Sequence, residues 1–209
     1  MKLKNCRICN GNNLTDYLNL GLTPAADAFI KEEHKHLDDQ VYPLEVCLCN
    51  DCGISQLNFT VDPKILYQND YPYESSITKT GQLHWDQFAE SVVQRAELSS
   101  DDLVIDIGSN VGVLLSAFQK RGCKVLGIEP SKHIAECANQ NGVETINDFI
   151  SLDLAKKIVS NKGKAPLINI TNVFAHINDL EGLMKAVDLL LTKNGMFVIE
   201  APHFLNLIE

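Results

Sequence analysis

No stretch of this 209-residue chain stays apolar for the ~20 residues that a membrane-spanning helix needs. The N-terminus, Met1-Lys2-Leu3-Lys4-Asn5-Cys6, lacks the apolar core of a secretory signal. Basic residues are scarce too. Eighteen Lys and Arg stand against 27 Asp and Glu, a formal net charge of -9. That balance argues against a general nucleic-acid or membrane-surface binder, since both need basic patches. Together these absences lead us to expect a cytoplasmic protein with no nucleic-acid and no membrane partner. Disulfides are rare in that compartment, so the seven cysteines need another chemistry.

Five of the seven lie in the first 52 residues. Cys6-Arg7-Ile8-Cys9 is one C-x-x-C pair, and Cys49-Asn50-Asp51-Cys52-Gly53 is another. Two such knuckles build a tetrahedral four-thiolate zinc site, here from Cys6, Cys9, Cys49 and Cys52. A redox C-x-x-C would need one motif at a helix start, not two distant pairs. The 39 residues between the pairs must form a small subdomain. Cys47 is expected to face away from Cys49 and stay outside the metal shell. Cys123 and Cys137 read as small buried hydrophobes.

Within that subdomain, Gly21–Ala28 reads as a loop and Lys31–Asp39, with His34 and His36, as a solvated charge run. Tyr42–Leu57 reads as a hairpin around the second knuckle. Pro63–Tyr67 fits one helical turn. Tyr71-Pro72-Tyr73-Glu74-Ser75-Ser76 follows, extended by its proline. Its rings either line a pocket or simply pack.

The stretch Asp102–Glu129 reads as strand, glycine-bearing turn, helix and strand. Leu103–Ile107 suits a buried parallel strand. Gly108, Ser109, Asn110 and Gly112 make the turn, and glycine lets a ligand approach the backbone there. Glu129 ends the second strand 21 residues after Gly108, where the ribose hydroxyls of a bound nucleoside fall. NAD calls for G-x-G-x-x-G and a diphosphate over the helix terminus. The sequence here is D-x-G-x-N-x-G, and Asp106 would repel a diphosphate. It suits the cationic aminoacyl end of S-adenosylmethionine.

Helical and strand patterns alternate on both sides of this unit. Helices are expected over Thr78–Leu98, Ser131–Asn139 and Phe149–Val159, with another from Asp179 to Asn194-Gly195. Strands are expected over Glu144–Ile146, Leu167–Phe174 and Met196–Glu200. The fold class is therefore α/β: a small N-terminal zinc-binding domain (1–70), a linker and leading helix (71–98), then an open parallel Rossmann-like sheet (99–209). Ligands of such sheets bind beyond the strand carboxyl ends. Asn147, Asp148 and His176 all follow such ends. Asp148 is placed to meet an adenine amino group. His176 is a candidate base, the alternative being a capping or core histidine.

The series Cys6-x-x-Cys9, Tyr42-Pro43-Leu44, Cys49-x-x-Cys52-Gly53, Gln56-Leu57, Tyr71-Pro72-Tyr73-x-Ser75-Ser76, Asp106-Ile107-Gly108-Ser109-Asn110, Gly127-Ile128-Glu129-Pro130, Asn172-Val173-Phe174-Ala175-His176 and Glu200-Ala201-Pro202 resembles the zinc-containing, S-adenosylmethionine-dependent sugar C-methyltransferases of deoxysugar biosynthesis. The resemblance implies structural Zn²⁺, a class I methyltransferase sheet and a nucleotide-linked keto-deoxysugar methylated through an enolate. It places His176 and one of Tyr71 and Tyr73 beside the sugar. With the residue reading, it gives a cofactor set of Asp106, Gly108, Ser109, Asn110, Gly112, Glu129, Pro130, Asn147, Asp148, Phe149 and Asn172.

Two departures stand out. Val111 occupies a position that is usually acidic in that family. The family also continues past the position of Glu209 with a tyrosine, glutamate and histidine motif and a further domain. The expectation is a fragment or one half of a split enzyme, its sheet stopping after the fifth strand, with a C-terminal domain or complementing chain as partner. The competing readings are a catalytically silent zinc- and cofactor-binding module, or methyl transfer to oxygen or nitrogen of another small molecule.

Overall fold

The computed structural model describes residues 2–30, 32–68, 71–75 and 78–203. Lys31 and Ser76, named above, lie outside the described residues, as do 204–209. The chain forms two compact units, Met1–Tyr73 with Asn178–Glu181, and Glu74–Ile177 with Gly182–Glu209. Among the described residues no helix is long and apolar enough to cross a membrane.

The first unit is an antiparallel sheet of β1 (Leu14–Pro24), β2 (Val41–Cys49) and β3 (Ser55–Leu57), in that order. The β2–β3 hairpin carries the second knuckle, as the sequence leads one to expect. The loop expected at Gly21–Ala28 begins later, because β1 runs on to Pro24. Its pairing shifts register between Asp16/Leu18 and Asn19/Leu22, and this irregularity absorbs Gly21 at φ 79°. The proline ends an edge strand, where a missing N–H costs no ladder bond. His34 and His36 are exposed within the charge run, and Lys64–Gln68 forms a single π turn.

The second unit is a five-stranded, all-parallel sheet. Its elements are α1 (Lys79–Arg95), β4 (Leu103–Ile107), α2 (Val113–Gln119), β5 (Lys124–Ile128), α3 (Lys132–Gln140), β6 (Thr145–Ile146), α4 (Leu152–Lys162), β7 (Ala165–Thr171), α5 (Leu180–Leu190) and β8 (Leu191–Glu200). The strand order is β6-β5-β4-β7-β8. Strand order reverses at β4, so the connections after β4 and β7 leave in opposite directions. The crevice beyond their carboxyl ends is where such sheets bind ligands. Val104, Leu114, Leu115, Phe118, Val125 and Leu167 pack with Ala89 and Val92 of α1 into one core.

Several boundaries differ from the sequence reading for local reasons. The helix expected from Phe149 starts at Leu152, because Ser151 caps it by accepting the Leu154 N–H at 3.2 Å. The strand expected to reach Phe174 ends at Thr171, since Asn172 takes a left-handed φ of 57°. The helix expected to end at Asn194-Gly195 ends at Leu190. Residues 191–195 form a bulge before Met196, Phe197, Val198, Ile199 and Glu200 settle into register with β7. Cys137 is half-buried on α3, not a core residue, and its sulfur lies 3.8 Å from His133 Nε2.

Candidate metal and cofactor sites

The sulfur atoms of Cys6, Cys9, Cys49 and Cys52 all lie within 4.8 Å of one another. Cys6 and Cys52 approach to 3.6 Å, as do Cys9 and Cys49. Four sulfurs ~2.3 Å from a central zinc would stand about 3.8 Å apart, so the donor set fits the ion. The two knuckles are near copies. The Cys6 N–H donates to Gly11 O at 2.7 Å and the Asn10 N–H to Cys6 O at 3.0 Å. The Cys49 N–H donates to Ile54 O at 2.9 Å and the Gly53 N–H to Cys49 O at 2.8 Å. Each second cysteine is followed by a left-handed residue, Asn10 at φ 60° or Gly53 at φ 77°. Four thiolates leave no position for water, the signature of a structural site.

Cys47 is outside the cluster but does not face away. It is two residues from Cys49 on β2, and both side chains are buried on the same face. The strand period of two makes this unavoidable. Cys47 pairs with Gln56 across β2 and β3, and burial raises its thiol pKa.

The second site is the turn after β4. Gly108 has φ 74°, and a Cβ there would meet Val173 Cγ2 at 2.5 Å, so both backbone and packing demand glycine. The Gly108 N–H donates to Ile128 O at 2.8 Å, joining the turn to β5. Asn110, at φ 51°, accepts the Ser75 and Val111 N–H groups on Oδ1, each at 2.9 Å. Glu129 clamps the crevice: the Asn110 N–H donates to Oε2 at 3.0 Å and the Ser131 N–H to Oε1 at 2.9 Å. Burial pushes the Glu129 pKa up, and these two backbone bonds pull it back. Asn147 Nδ2 donates to Glu129 O at 3.0 Å and Pro130 O at 2.9 Å, fixing the loop after β5.

Asp106 is 2% exposed, and its pKa is pushed up to about 8 by burial and by the nearby Glu129. Two acids around one turn offer a diphosphate no positive charge to pair with. Each can accept from the donors of a cofactor that carries a ribose and an ammonium group. Gly112 caps α2 in the left-handed conformation. Val111, at the position noted as a departure, is buried at 6% exposure.

Of the remaining candidates, Asp148, Asn172 and His176 follow strand carboxyl ends of the parallel sheet. Asp148 is exposed, and its Oδ1 accepts the Phe149 N–H at 2.8 Å. His176 ends a 3₁₀ turn, Phe174–His176, beyond the carboxyl end of β7, and its side chain is exposed. The Asn172 N–H donates to Glu200 O at 2.7 Å. Asn172 Nδ2 lies 3.5 Å from Glu200 Oε1. Tyr71 and Tyr73 belong to the first unit. Tyr71 lines a cavity of about 460 Å³ with Phe29, Leu37, Tyr42, Ile65 and Leu66, whereas Tyr73 is 55% exposed. A wider cavity of about 770 Å³ lies at the amino ends of the strands. Its Lys124 and Lys162 are already paired with Asp101 and Glu144 at 3.2 and 2.7 Å.

Sequence reasoning missed two participants, His84 and Asn169. His84 Nε2 on α1 lies 3.1 Å from Glu200 Oε2, so Glu200 is held from two elements at the ligand edge. Asn169 on β7 stands next to Asp106 across the sheet. Nothing local marks these residues, because their partners are 60 or more positions away in sequence.

Residues 6–67 match the family described as "Putative zinc binding domain", and residues 82–206 match the family described as "Methyltransferase domain". The chain is 30% identical over 204 residues to C-methyltransferase NovU of Streptomyces niveus, covering 98% of this chain and 48% of that one. It thus spans about half the length of this curated relative. Among solved structures, the PH0226 protein from Pyrococcus horikoshii OT3 has the same fold, with a TM-score of 0.53 at 16% identity over 65% of this chain and 61% of that one.

Proposed function

The chain belongs to the methyltransferase-domain family, with a zinc-binding domain ahead of it, and from that premise we propose that it methylates carbon in a nucleotide-linked keto-deoxysugar, using S-adenosylmethionine. The buried pair of acids around the Gly108–Gly112 turn carries the cofactor half of this reading. The similarity to a C-methyltransferase over nearly the whole chain supports the other half. When bound, S-adenosylmethionine supplies a sulfonium methyl group to a carbon nucleophile.

The protein's own residues divide the remaining work. Glu129 accepts from ribose hydroxyls while its backbone bonds keep it oriented. Asn147 holds the loop that flanks the adenine position, with Asp148 and Phe149 beside it. His176, on the exposed edge beyond β7, takes the proton α to the sugar ketone. Tyr71 or Tyr73 steadies the enolate oxygen. The residues corresponding to the rest of the longer relative, on the same chain or a complementing one, close over the sugar and exclude water.

Calorimetry tests the cofactor half. The protein should bind S-adenosylhomocysteine and not NAD. Glu129→Ala should weaken binding roughly ten- to a hundredfold, because a hydrogen bond to a charged group contributes ~1.5–3 kcal/mol. Glu129→Gln should not rescue it, since its NH₂ must face one of the two N–H donors. NAD binding without a response to S-adenosylhomocysteine would overturn the assignment.

Methyl transfer to a panel of 4-keto-6-deoxy nucleotide sugars tests the substrate half. The measurement compares the 209-residue chain alone with the chain extended by any open reading frame that follows Glu209. We expect slow or no turnover alone and turnover in the longer form. There His176→Asn should lower turnover by ~10²–10⁴ with cofactor affinity unchanged. Cofactor binding with no methylation of any sugar in either form refutes the sugar reading.

A further inference from the structure

A polar row crosses the sheet directly below the cofactor turn. One level of the core face is apolar from edge to edge: Val125, Val104, Leu167 and Met196 are register partners on β5, β4, β7 and β8. Two residues further along each strand, the same face carries Gly127, Asp106, Asn169 and Val198, again register partners in that order. Strand side chains repeat every two residues, so Asp106 and Asn169 stand side by side, one strand spacing of ~4.8 Å apart.

Asn169 is wholly buried. Neither its Oδ1 nor its Nδ2 has a hydrogen-bond partner among the described residues, and the same holds for Asp106 Oδ1 and Ser109 Oγ. Ser109 belongs to this row because its hydroxyl fills the space over Gly127, where a Cβ would lie 2.4 Å from Oγ. All four buried, unpartnered side-chain atoms found among the described residues of the α/β unit are therefore in this one place. Each such atom costs ~1–3 kcal/mol if it stays unpaired. A strand interior could have held a valine at position 169 without that cost. Among the described residues no ion pair reaches Asp106 or Glu129. The row is thus rich in acceptors and lacks a cation.

We propose that Asn169 is a positioning residue of the cofactor site: with Ser109 it orients Asp106 toward the ammonium of the cofactor's aminoacyl end, which completes the hydrogen bonding of the row. This rests on the reading that the turn holds S-adenosylmethionine. The chemistry matches. An ammonium has three donors and no acceptor. Asp106 Oδ1, Asn169 Oδ1 and Ser109 Oγ are acceptors, and the Asn169 NH₂ can donate to the Asp106 carboxyl group. Glu129 is the other acid bearing on Asp106. An arriving cation favours the carboxylate form of Asp106, and its proton then leaves to solvent. A nucleoside without the aminoacyl end leaves the row as it is in the free protein.

That difference defines the test. S-adenosylhomocysteine carries the aminoacyl end and 5′-methylthioadenosine does not, while both carry the adenosine that Glu129 and Asn147 serve. Calorimetry on the 209-residue protein should show tighter binding of the first. Asn169→Val should cut S-adenosylhomocysteine affinity tenfold or more and change 5′-methylthioadenosine affinity less than twofold. Should that variant fail to fold, Asn169→Ser replaces the carboxamide with one smaller hydroxyl and should give an intermediate ratio. An unchanged ratio in the variant that folds overturns the proposal. So does an equal loss for both nucleosides, the outcome of a purely structural role. Equal binding of both by the unaltered protein also overturns it. Failure of the unaltered protein to bind either one refutes the cofactor reading itself, and this proposal with it.

Discussion

Removing zinc is expected to unfold the first unit and leave the parallel sheet folded. Among the described residues up to Tyr73, the buried side chains are Cys6, Cys47, Cys49, Gln56 and Asn58. No leucine, isoleucine, valine or phenylalanine there is buried to that degree, while Leu20, Leu22, Phe29 and Ile30 are more than half exposed. A unit of this size with so little apolar core needs a staple. Structural zinc contributes apparent binding energies of ~10–16 kcal/mol in small zinc domains, and there it acts as folding energy. Purified protein should hold one zinc per chain. A strong chelator should abolish hydrogen-exchange protection in β2 and β3 and spare β4, β5 and β7. Cys49→Ser should lose the metal and behave like the chelated protein. Cys47→Ser should keep it, since Cys47 lies outside the four-sulfur cluster. Loss of zinc in Cys47→Ser, or retained protection in β2 after chelation, would refute this account.

The second large effect is on stability against pH, through Asp106. In the free protein its carboxyl group stays protonated up to about 8, whereas an unfolded aspartate ionises near ~3.9. The sign follows from the proton count. Between those values the folded state binds one more proton than the unfolded state, so stability falls as pH rises. The contribution is fully present below about pH 4, lost progressively up to pH 8, and level beyond. A shift of this size corresponds to on the order of 5 kcal/mol across the window. Glu129, whose pKa is also raised by burial, acts in the same direction. Asp106→Asn removes the ionisation and keeps the shape, and its NH₂ can donate to Asn169 Oδ1. Melting of the zinc-loaded protein between pH 5.5 and 9 should show a falling midpoint for the native sequence and a much flatter one for Asp106→Asn. The variant should be the more stable protein at pH 8. Parallel pH profiles would rule out Asp106 as the group responsible.

The two acids and the zinc site were legible in the sequence because each is written in short-range spacing. C-x-x-C followed by a residue that tolerates a left-handed φ builds its own knuckle. Asp106-x-Gly108 and Glu129 are fixed by one βαβ unit, in which strand length, turn and helix length leave little freedom. Element ends were less legible, because they depend on single groups: the Ser151 hydroxyl moved one helix start by three residues, and the left-handed Asn172 ended β7 early.

The sequence by itself determined the α/β class, the clustering of Cys6, Cys9, Cys49 and Cys52, and the glycine-bearing turn after β4, since backbone geometry over a few residues decides them. The shared face of Cys47 and Cys49 follows from the strand period alone, whereas contacts between distant segments needed the tertiary structure. The tertiary structure alone brought His84 on α1 to Glu200 on β8, 116 residues apart, and set Asn169 beside Asp106, 63 residues apart. The reason is parallel pairing. A parallel strand reaches its neighbour only through a crossover, so strand order and register, not spacing along the chain, choose which side chains meet.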